Sequence, residues 1–497
     1  MIEIIGPLTP GALTATGKPL SLQKQLIEGL QQAILSGRLP AGTLLPSSRL
    51  LASEFDVSRN TVVIAYDQLA AEGYVLADRQ GTRVASLRDP AVHAGARRDT
   101  APAPIAFARR LAPLVDTHGL APRAALLVPG TPALDRFPVA AWRRSLDRAI
   151  THALPDALGY GHPAGEPALR DAIAAHLRVA RGVRCDGAQI VITEGAQEAL
   201  NLCVRLLTNP GDTGWLEDPG YRGASAAFHA GDLRTVAIPV DHEGLAVPPD
   251  AWRRQTPKLV YTSPAHQYPT GAVLSVARRL ELIAQARRAN AWLIEDDYDG
   301  EFRHTGEPIA SMQGLVPDAP VLYVGSFSKT MFPALRIGFV VLPASIAGQA
   351  RVALQELLRG GHRLEQLALA DFIERGEFAR HLGRMRRLYR ERQHALRAAL
   401  TEHFPAEQIL GGNCGMHLTV LLPAAHDDRA IVARAEQDGI TVRALSSFST
   451  GASAGSNTHG NGLVIGYGNT DAHAIADAVA ILARAAKPPR KRTRTTR

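Results

Sequence analysis

One lysine in this chain stands where it could bond covalently to a carbonyl carbon. Residues 325–338 read GSFSKTMFPALRIG, and the apolar run Val321–Val324 before them feeds a small polar turn that presents Lys329. A Schiff base needs a lysine held in one place and partly desolvated, so that its amine is nucleophilic. Ser326, Ser328 and Arg336 around it suit a phosphate, the hydroxyls as short donors and the guanidinium as a planar fork. Taken alone, the stretch reads equally as an exposed loop lysine beside structural serines.

Three further stretches offer partners for that chemistry. WLIEDDYDGEF, residues 292–302, is an apolar strand ending in acids, and strand ends are where an α/β sheet displays reactive groups. Asp296 there could keep the pyridine nitrogen of pyridoxal phosphate protonated, which makes the ring an electron sink. Tyr298 would then lie near the phenolic oxygen; the acids would equally cap the next helix. VITEGAQEALNL, residues 191–202, reads as strand, tight turn and helix. Gly195, Ala196 and Gln197 would set backbone N–H groups at a helix N-terminus, a natural phosphate cradle. EDPGY, residues 217–221, puts Tyr221 after a Pro-Gly turn, where its ring could stack on a pyridine or fill the core.

A second set of candidate residues lies near the N-terminus. Leu22, Leu26, Ile27, Leu30, Ala33 and Ile34 recur at helical spacing, and Gly37 stops that helix. Ser47 can cap a second helix with Leu50, Leu51 and Phe55 inward. Ser58 can cap a third, with Val62, Ala65, Tyr66 and Leu69 on its apolar face. Tyr74–Ala77 and Thr82–Ala85 flank the turn DRQG, which gives a hairpin. Three helices and a hairpin make a winged helix-turn-helix, whose third helix enters the major groove by its N-terminal end. Ser58, Arg59, Asn60 and Thr61 sit at that end, Arg49 starts the second helix, and Gln80, Gly81 and Thr82 form the wing tip. A helical dimerisation unit with solvated arginines has the same periodicity.

The elements that must position these residues fall into zones. Residues 18–86 are the helical unit with its hairpin. Residues 87–122, rich in Ala, Pro, Arg and Asp, read as a linker. Residues 123–485 alternate apolar strands with amphipathic helices, the pattern of an α/β domain. Residues 486–497 form a basic tail. The formal charge is +8, and taking away the six cations of residues 487–497 leaves +2, so the folded body is nearly neutral. Cys185, Cys203 and Cys414 make no CxxC or Cys/His cluster, so the sequence suggests neither a zinc site nor a disulfide framework. No apolar stretch is long enough to span a bilayer, and no N-terminal leader pattern is present; a cytoplasmic protein is expected.

The string LPAGTLLPSSRLLASEFDVSRNTVVIAYDQLAAEGYV resembles the GntR-type winged helix over nearly its whole length. In that family the residues matching Arg49, Ser58–Thr61 and Gly81 touch DNA. From about Ala124 to Ala485 the chain resembles fold-type I pyridoxal phosphate enzymes, the aminotransferase class. The matching pieces are YGHPAGEPALRDAI, TEGAQEAL, EDPGY, SPAHQYPTG, EDDYD and SFSK with Arg336. The resemblance implies that Lys329 forms the aldimine, Asp296 faces the pyridine nitrogen and Tyr221 stacks on the ring. It gives the phosphate to Ser326, Ser328, Arg336 and the Gly195–Gln197 turn. The two parts in this order resemble the MocR/GabR subfamily of GntR regulators. That implies a head-to-tail homodimer that binds double-stranded promoter DNA and senses an amino compound, or pyridoxal phosphate itself.

Two departures bear on activity. Aminotransferases carry an Asn just before Pro-Thr-Gly that bonds the cofactor oxygen; here Tyr268 holds that place, and His266 or Gln267 could substitute. They also carry an Arg near the C-terminus that grips the substrate α-carboxylate. Gly462 falls there, which removes the bidentate clamp, and Arg222 or Arg443 could replace it. A transaminase with an accessory DNA-binding domain remains the alternative expectation.

Overall fold

The structure is a computed structural model. It describes residues 1–12, 19–86, 108–114, 125–152, 155–306, 309–358, 360–449 and 460–487. Two compact units divide at Ile105 and Ala106. Most of the 87–122 linker and nearly all of the basic tail lie outside the described residues.

In the first unit, Ser21, Ser47 and Ser58 each accept a hydrogen bond from a first-turn amide of the helix that follows. Those helices are Leu22–Leu35, Ser48–Glu54 and Arg59–Ala71. Such caps satisfy amides that have no partner within the helix. The apolar stripe of each helix meets in one core that includes Leu26, Leu30, Leu51, Val62 and Leu69. Leu50 does not share it: it is 61% exposed. Leu51 and Phe55, four apart, define the inward face of this short helix, and Leu50 points off it. The hairpin strands are Val75–Asp78 and Gly81–Val84, one residue off the ranges read from sequence. Asp78 pairs with Gly81, so Arg79 and Gln80 are the turn. Leu44 bridges to Arg83 and adds a third extended segment. A short helix, Ile2–Ile5, which the sequence pattern does not reveal, packs on the first long helix.

In the second unit an eight-stranded sheet runs in the order Ile190–Thr193, Gly338–Val341, Val321–Ser326, Trp292–Asp297, Leu259–Thr262, Thr213–Asp218, Arg234–Asp241 and Gly244–Leu245. Neighbours pair in parallel except at Gly338–Val341, antiparallel to both its neighbours, and at the terminal Gly244–Leu245. Strands buried on both faces read as continuous apolar runs, which is why LVYT and VLYV carry no alternation. The parallel strands bring their carboxyl ends, Asp218, Thr262, Asp297 and Ser326, to one edge. That edge is where this class of sheet takes ligands. A four-stranded antiparallel sheet forms the smaller lobe: Ile409–Leu410, His417–Leu422, Asn461–Gly466 and Arg443–Ala444. Within the span read as linker, Arg109–Leu114 is a 3-10 segment, and Arg110 donates to the Ala230 carbonyl at 3.1 Å. No described helix is long and apolar enough to cross a membrane.

Candidate functional site

Lys329 follows the strand Val321–Ser326, and its Nζ donates to the Gly130 carbonyl at 2.6 Å. Gly130 has φ +73°, and a Cβ there would lie 3.2 Å from Nζ, so the glycine leaves the amine room to move. Burial lowers the lysine pKa, opposed by the charges of Asp299 and then Asp296. Those carboxylates are therefore within electrostatic reach of the amine.

Asp296, in the strand Trp292–Asp297, is buried. Its Oδ2 accepts from the Tyr261 hydroxyl at 2.7 Å. Its Oδ1 is buried and has no hydrogen-bond partner among the described residues. Burial pushes this carboxyl up to about 7, opposed by the Tyr261 bond and reinforced by Asp297, Glu217 and Asp299. An unpaired buried acceptor is costly. A pyridinium N–H is a donor of the kind that would satisfy it, so the residues present fit pyridoxal phosphate at this end.

The other end is built by strand register. Gly338 pairs with both Thr193 and Ser326, which brings the Gly195 and Ser326 turns side by side. A Cβ on Gly338 would lie 2.6 Å from the Gly195 carbonyl carbon, so no side chain fits between them. Gly195, at φ +82°, caps the helix Ala196–Leu207. Arg336 Nη2 donates to the Glu194 carbonyl at 2.7 Å, and its Nη1 lies 3.4 Å from where a Gly195 Cβ would be. Ser326 Oγ accepts from the Ser328 amide at 3.1 Å and donates to the Ser328 hydroxyl at 3.0 Å. Helix amides, two hydroxyls and a guanidinium thus meet in one place, the composition of a phosphate site. The Gln197 side chain turns away and donates to the Gly223 carbonyl at 2.9 Å. A cavity of about 310 Å³ opens beside this turn, lined in part by Glu194, Arg336 and His362.

Between the two ends stands Tyr221, just before the helix Arg222–Ala230. Burial raises its phenol to about 12, with the Asp296 charge adding and the Arg336 charge opposing, so the ring feels both ends. Tyr268 faces Tyr221 edge-on at 6.5 Å, Tyr298 at 6.0 Å and Phe448 at 5.1 Å. Tyr298 Oη lies 3.0 Å from His266 Nδ1, which is also 3.0 and 3.1 Å from the two Asp299 oxygens. Of the pair His266 and Gln267, Gln267 is fully engaged elsewhere. Its Nε2 donates to Glu217, to the Pro219 carbonyl and to the Tyr268 carbonyl, and its Oε1 accepts from Thr270.

Gly462 lies in the strand Asn461–Gly466, and its amide donates to Asp428 at 3.1 Å. A Cβ there would lie 2.7 Å from the Val420 carbonyl oxygen, so an arginine has no room. Arg443, paired in register with Val464, is half-buried, with Glu436 at 3.9 Å. Its charge lowers the Tyr268 phenol pKa, against the larger upward push of burial. Arg443 is thus within reach of the aromatic cluster. Arg222 opens the helix behind Tyr221.

The DNA-facing candidates lie in the first unit. Arg49, Ser58, Arg59, Asn60 and Gln80 are exposed, and Thr61, Gly81 and Thr82 are half-buried. Ser58 Oγ accepts from the Thr61 amide at 3.0 Å and meets the Thr61 hydroxyl at 2.8 Å. Arg59 Nε donates to Ser48 Oγ at 3.3 Å, which brings the starts of two helices, and so Arg49 and Arg59, to one edge. At the wing, the Gln80 amide donates to Asp78 at 2.7 Å.

Sequence reasoning missed Tyr261, Gly130 and Asp299 as parts of the cleft. Asp299 lies inside the acidic run that drew attention to Asp296. Gly130 and Tyr261 give no local signal, because strand register and a distant loop bring them in.

Residues 129–458 match the aminotransferase class I and II family, and residues 22–84 match the gntR family of bacterial regulatory proteins. The chain is 38% identical to the probable rhizopine catabolism regulatory protein MocR of Rhizobium meliloti, over 86% of each chain. It is 34% identical to the pyridoxine biosynthesis transcriptional regulator PdxR of Corynebacterium glutamicum, over 91% of this chain and 93% of that one. Among solved structures it is similar to a kynurenine aminotransferase of Pyrococcus horikoshii, with TM-score 0.66 and 28% identity, over 76% of this chain and 93% of that one.

Proposed function

The chain belongs to the MocR/GabR group of GntR regulators, and on that premise we propose that its cleft binds pyridoxal phosphate and reports an amino compound, or the cofactor itself, to the DNA-binding unit. The observation that carries this reading is the buried Oδ1 of Asp296, which has no hydrogen-bond partner among the described residues, in a domain whose fold implies that cofactor. When bound, pyridoxal phosphate supplies an aldehyde and an electron-withdrawing ring. Lys329 holds the aldehyde end, and its depressed pKa keeps more of the amine neutral and nucleophilic. Asp296 would accept from the ring nitrogen, Tyr221 would cover the ring face, and Tyr298 with His266 would serve the phenolic oxygen. The Gly195–Gln197 amides, Ser326, Ser328 and Arg336 hold the phosphate.

The effector follows from the small lobe. With Gly462 closed to any side chain, Arg443 is the cation we assign to an anionic group of the effector. That favours an amino compound whose acidic group is presented differently from an ordinary α-carboxylate. A ligand can shift the regulator only by binding its two states unequally. The two states are two arrangements of a head-to-tail homodimer on double-stranded promoter DNA. Arg49, Ser58–Thr61, Gln80, Gly81 and Thr82 make the DNA contacts.

Turnover as an aminotransferase is the second reading, because Lys329, Asp296 and Tyr298 all stand in the cleft. One experiment separates the two. The visible absorption of the full chain with added pyridoxal phosphate is followed during titration with amines and amino acids, and binding to DNA upstream of its own gene is measured in parallel. A band that shifts once, together with a change in DNA binding, supports the sensor. A band that is lost and then restored by a keto acid supports turnover. No band overturns both. Arg443→Gln should weaken the response to an acidic effector about 10- to 100-fold and leave the band in place, as loss of one charged hydrogen bond predicts; an unchanged response removes Arg443 from the effector site.

A further inference from the structure

We propose that Asp299 and His266 form a positioning pair that turns the Tyr298 hydroxyl hydrogen into the cofactor cleft. The inference rests on the reading that this cleft takes pyridoxal phosphate, and it assigns Asp299 a part in that site. The argument is a count of protons. His266 Nδ1 faces both oxygens of Asp299, at 3.0 and 3.1 Å, and both side chains are about 1% exposed. A carboxylate oxygen only accepts, so the ring proton must sit on Nδ1. Its Nε2 has no hydrogen-bond partner among the described residues, so nothing there competes for that proton.

The same Nδ1 lies 3.0 Å from Tyr298 Oη. Because Nδ1 carries its one hydrogen toward Asp299 and has no lone pair to offer, the Tyr298 hydroxyl cannot donate to it. A phenol has one hydrogen of its own, which is then released to point elsewhere. Burial and then the Asp299 charge hold the Tyr298 phenol well above its usual ionisation range, so that hydrogen is retained. Tyr298 sits edge-on to Tyr268 in the aromatic cluster, and Lys329 feels the charge of Asp299. The free donor therefore belongs to the cleft, where the phenolic oxygen of the cofactor needs one.

The pair is enclosed on every side. Gly415 covers it: a Cβ there would lie 2.2 Å from His266 Cε1 and 2.4 Å from Asp299 Oδ2. The other titratable groups among the described residues around it include Cys414, Tyr467, His417 and His304; burial and then the Asp299 charge raise the Cys414 thiol and the Tyr467 phenol, so both keep their protons. The His417 ring packs 4.6 Å from His266, and its Nε2 lies 3.1 Å from the Pro269 carbonyl, to which it donates. Burial, with the His266 charge next, brings His417 down to about 3, and burial brings His304 down to about 4. Both rings stay neutral at ordinary pH, so neither competes with Asp299 for the proton on Nδ1.

Asp299→Asn tests this at constant volume. Without the carboxylate to hold it on Nδ1, the ring proton can move to Nε2, and the bare Nδ1 lone pair can then draw in the Tyr298 hydrogen. A donor at the phenolic oxygen favours the deprotonated chromophore, so losing it raises the pH midpoint of the visible band. The measurement is that midpoint in the full chain with added pyridoxal phosphate. Wild type is compared with Asp299→Asn, Tyr298→Phe and the double variant. Asp299→Asn should shift the midpoint upward by on the order of one unit, Tyr298→Phe at least as far, and the double variant no further than Tyr298→Phe alone. An unmoved midpoint in Asp299→Asn overturns the proposal, and so do shifts that add. Should Asp299→Asn fail to fold, His266→Asn carries the same test, with the same shift expected and an unmoved midpoint against it. Absence of any band in wild type would overturn the cofactor reading instead.

Discussion

The two functional regions of this chain are built on opposite physical terms. The edge proposed to face DNA is made mostly of exposed polar side chains held by a helix cap and a bond between helices: Ser58 holds the Thr61 amide, and Ser48 accepts from Arg59. The cleft proposed to hold pyridoxal phosphate is made of charges taken out of water. Asp296 is pushed up to about 7 and keeps an acceptor with no donor among the described residues, and Lys329 is pushed down by burial. A surface reader can be stable and complete alone, whereas a buried charge cluster is unfavourable until a ligand completes it. Ligand binding therefore has most to gain in the second unit, which suits it to sensing and the first to reading.

The comparison breaks most directly at Lys329. Lys329→Ala should abolish the visible band of added pyridoxal phosphate and any effect of amino compounds on DNA binding. DNA binding by the cofactor-free protein should be unchanged. An effector response that survives in this variant would show that sensing does not pass through the lysine.

Asp296→Asn should weaken retention of the cofactor about 10- to 100-fold, because a hydrogen bond between charged partners is worth roughly 1.5–3 kcal/mol. It should also change stability, in the opposite sense. The folded pKa of Asp296, about 7, lies above its ordinary value of 3.8. Its contribution to the cofactor-free fold is thus fully present below about pH 4 and is lost as pH rises through about 7. Asparagine removes that dependence. The melting temperature of the cofactor-free variant should exceed that of wild type at pH 8, and by more than at pH 5. A difference that shrinks with rising pH would show that Asp296 is not the strained group.

These contrasts explain what was legible in the sequence. The winged helix could be read because its determinants are contiguous: cap, apolar face and wing succeed one another within residues 47–84, and only Leu50 and the hairpin register were misjudged. A seven-residue helix has too few turns to fix its inward face by periodicity. In the cleft, Lys329 and Asp296 were legible because each ends an apolar strand with an unusual polar burst. Gly130 and Tyr261 were not, since they join the site through pairing between strands and loops far apart in the chain. Gln267 shows the limit of residue type alone. An amide beside an expected cofactor contact reads as a ligand, yet its bonds to Glu217 and to two carbonyls clamp the loop.

The smallest predicted effect sharpens the comparison from the DNA side. Ser58→Ala removes the side-chain acceptor for the Thr61 amide, which should cost about 1 kcal/mol of stability in the winged helix. DNA affinity should fall with it, because the N-terminal turn that carries Arg59, Asn60 and Thr61 loses its anchor. The cost is confined to a cap, so the pH midpoint and intensity of the cofactor band should stay at their wild-type values in the absence of DNA. If the reader is autonomous, chemical denaturation of this variant shows a weakened first transition and an unaltered loss of the band. A band that moves with Ser58→Ala would mean that the strain in the cleft is shared with the recognition helix even without DNA, and the two regions would then have to be treated as one thermodynamic unit.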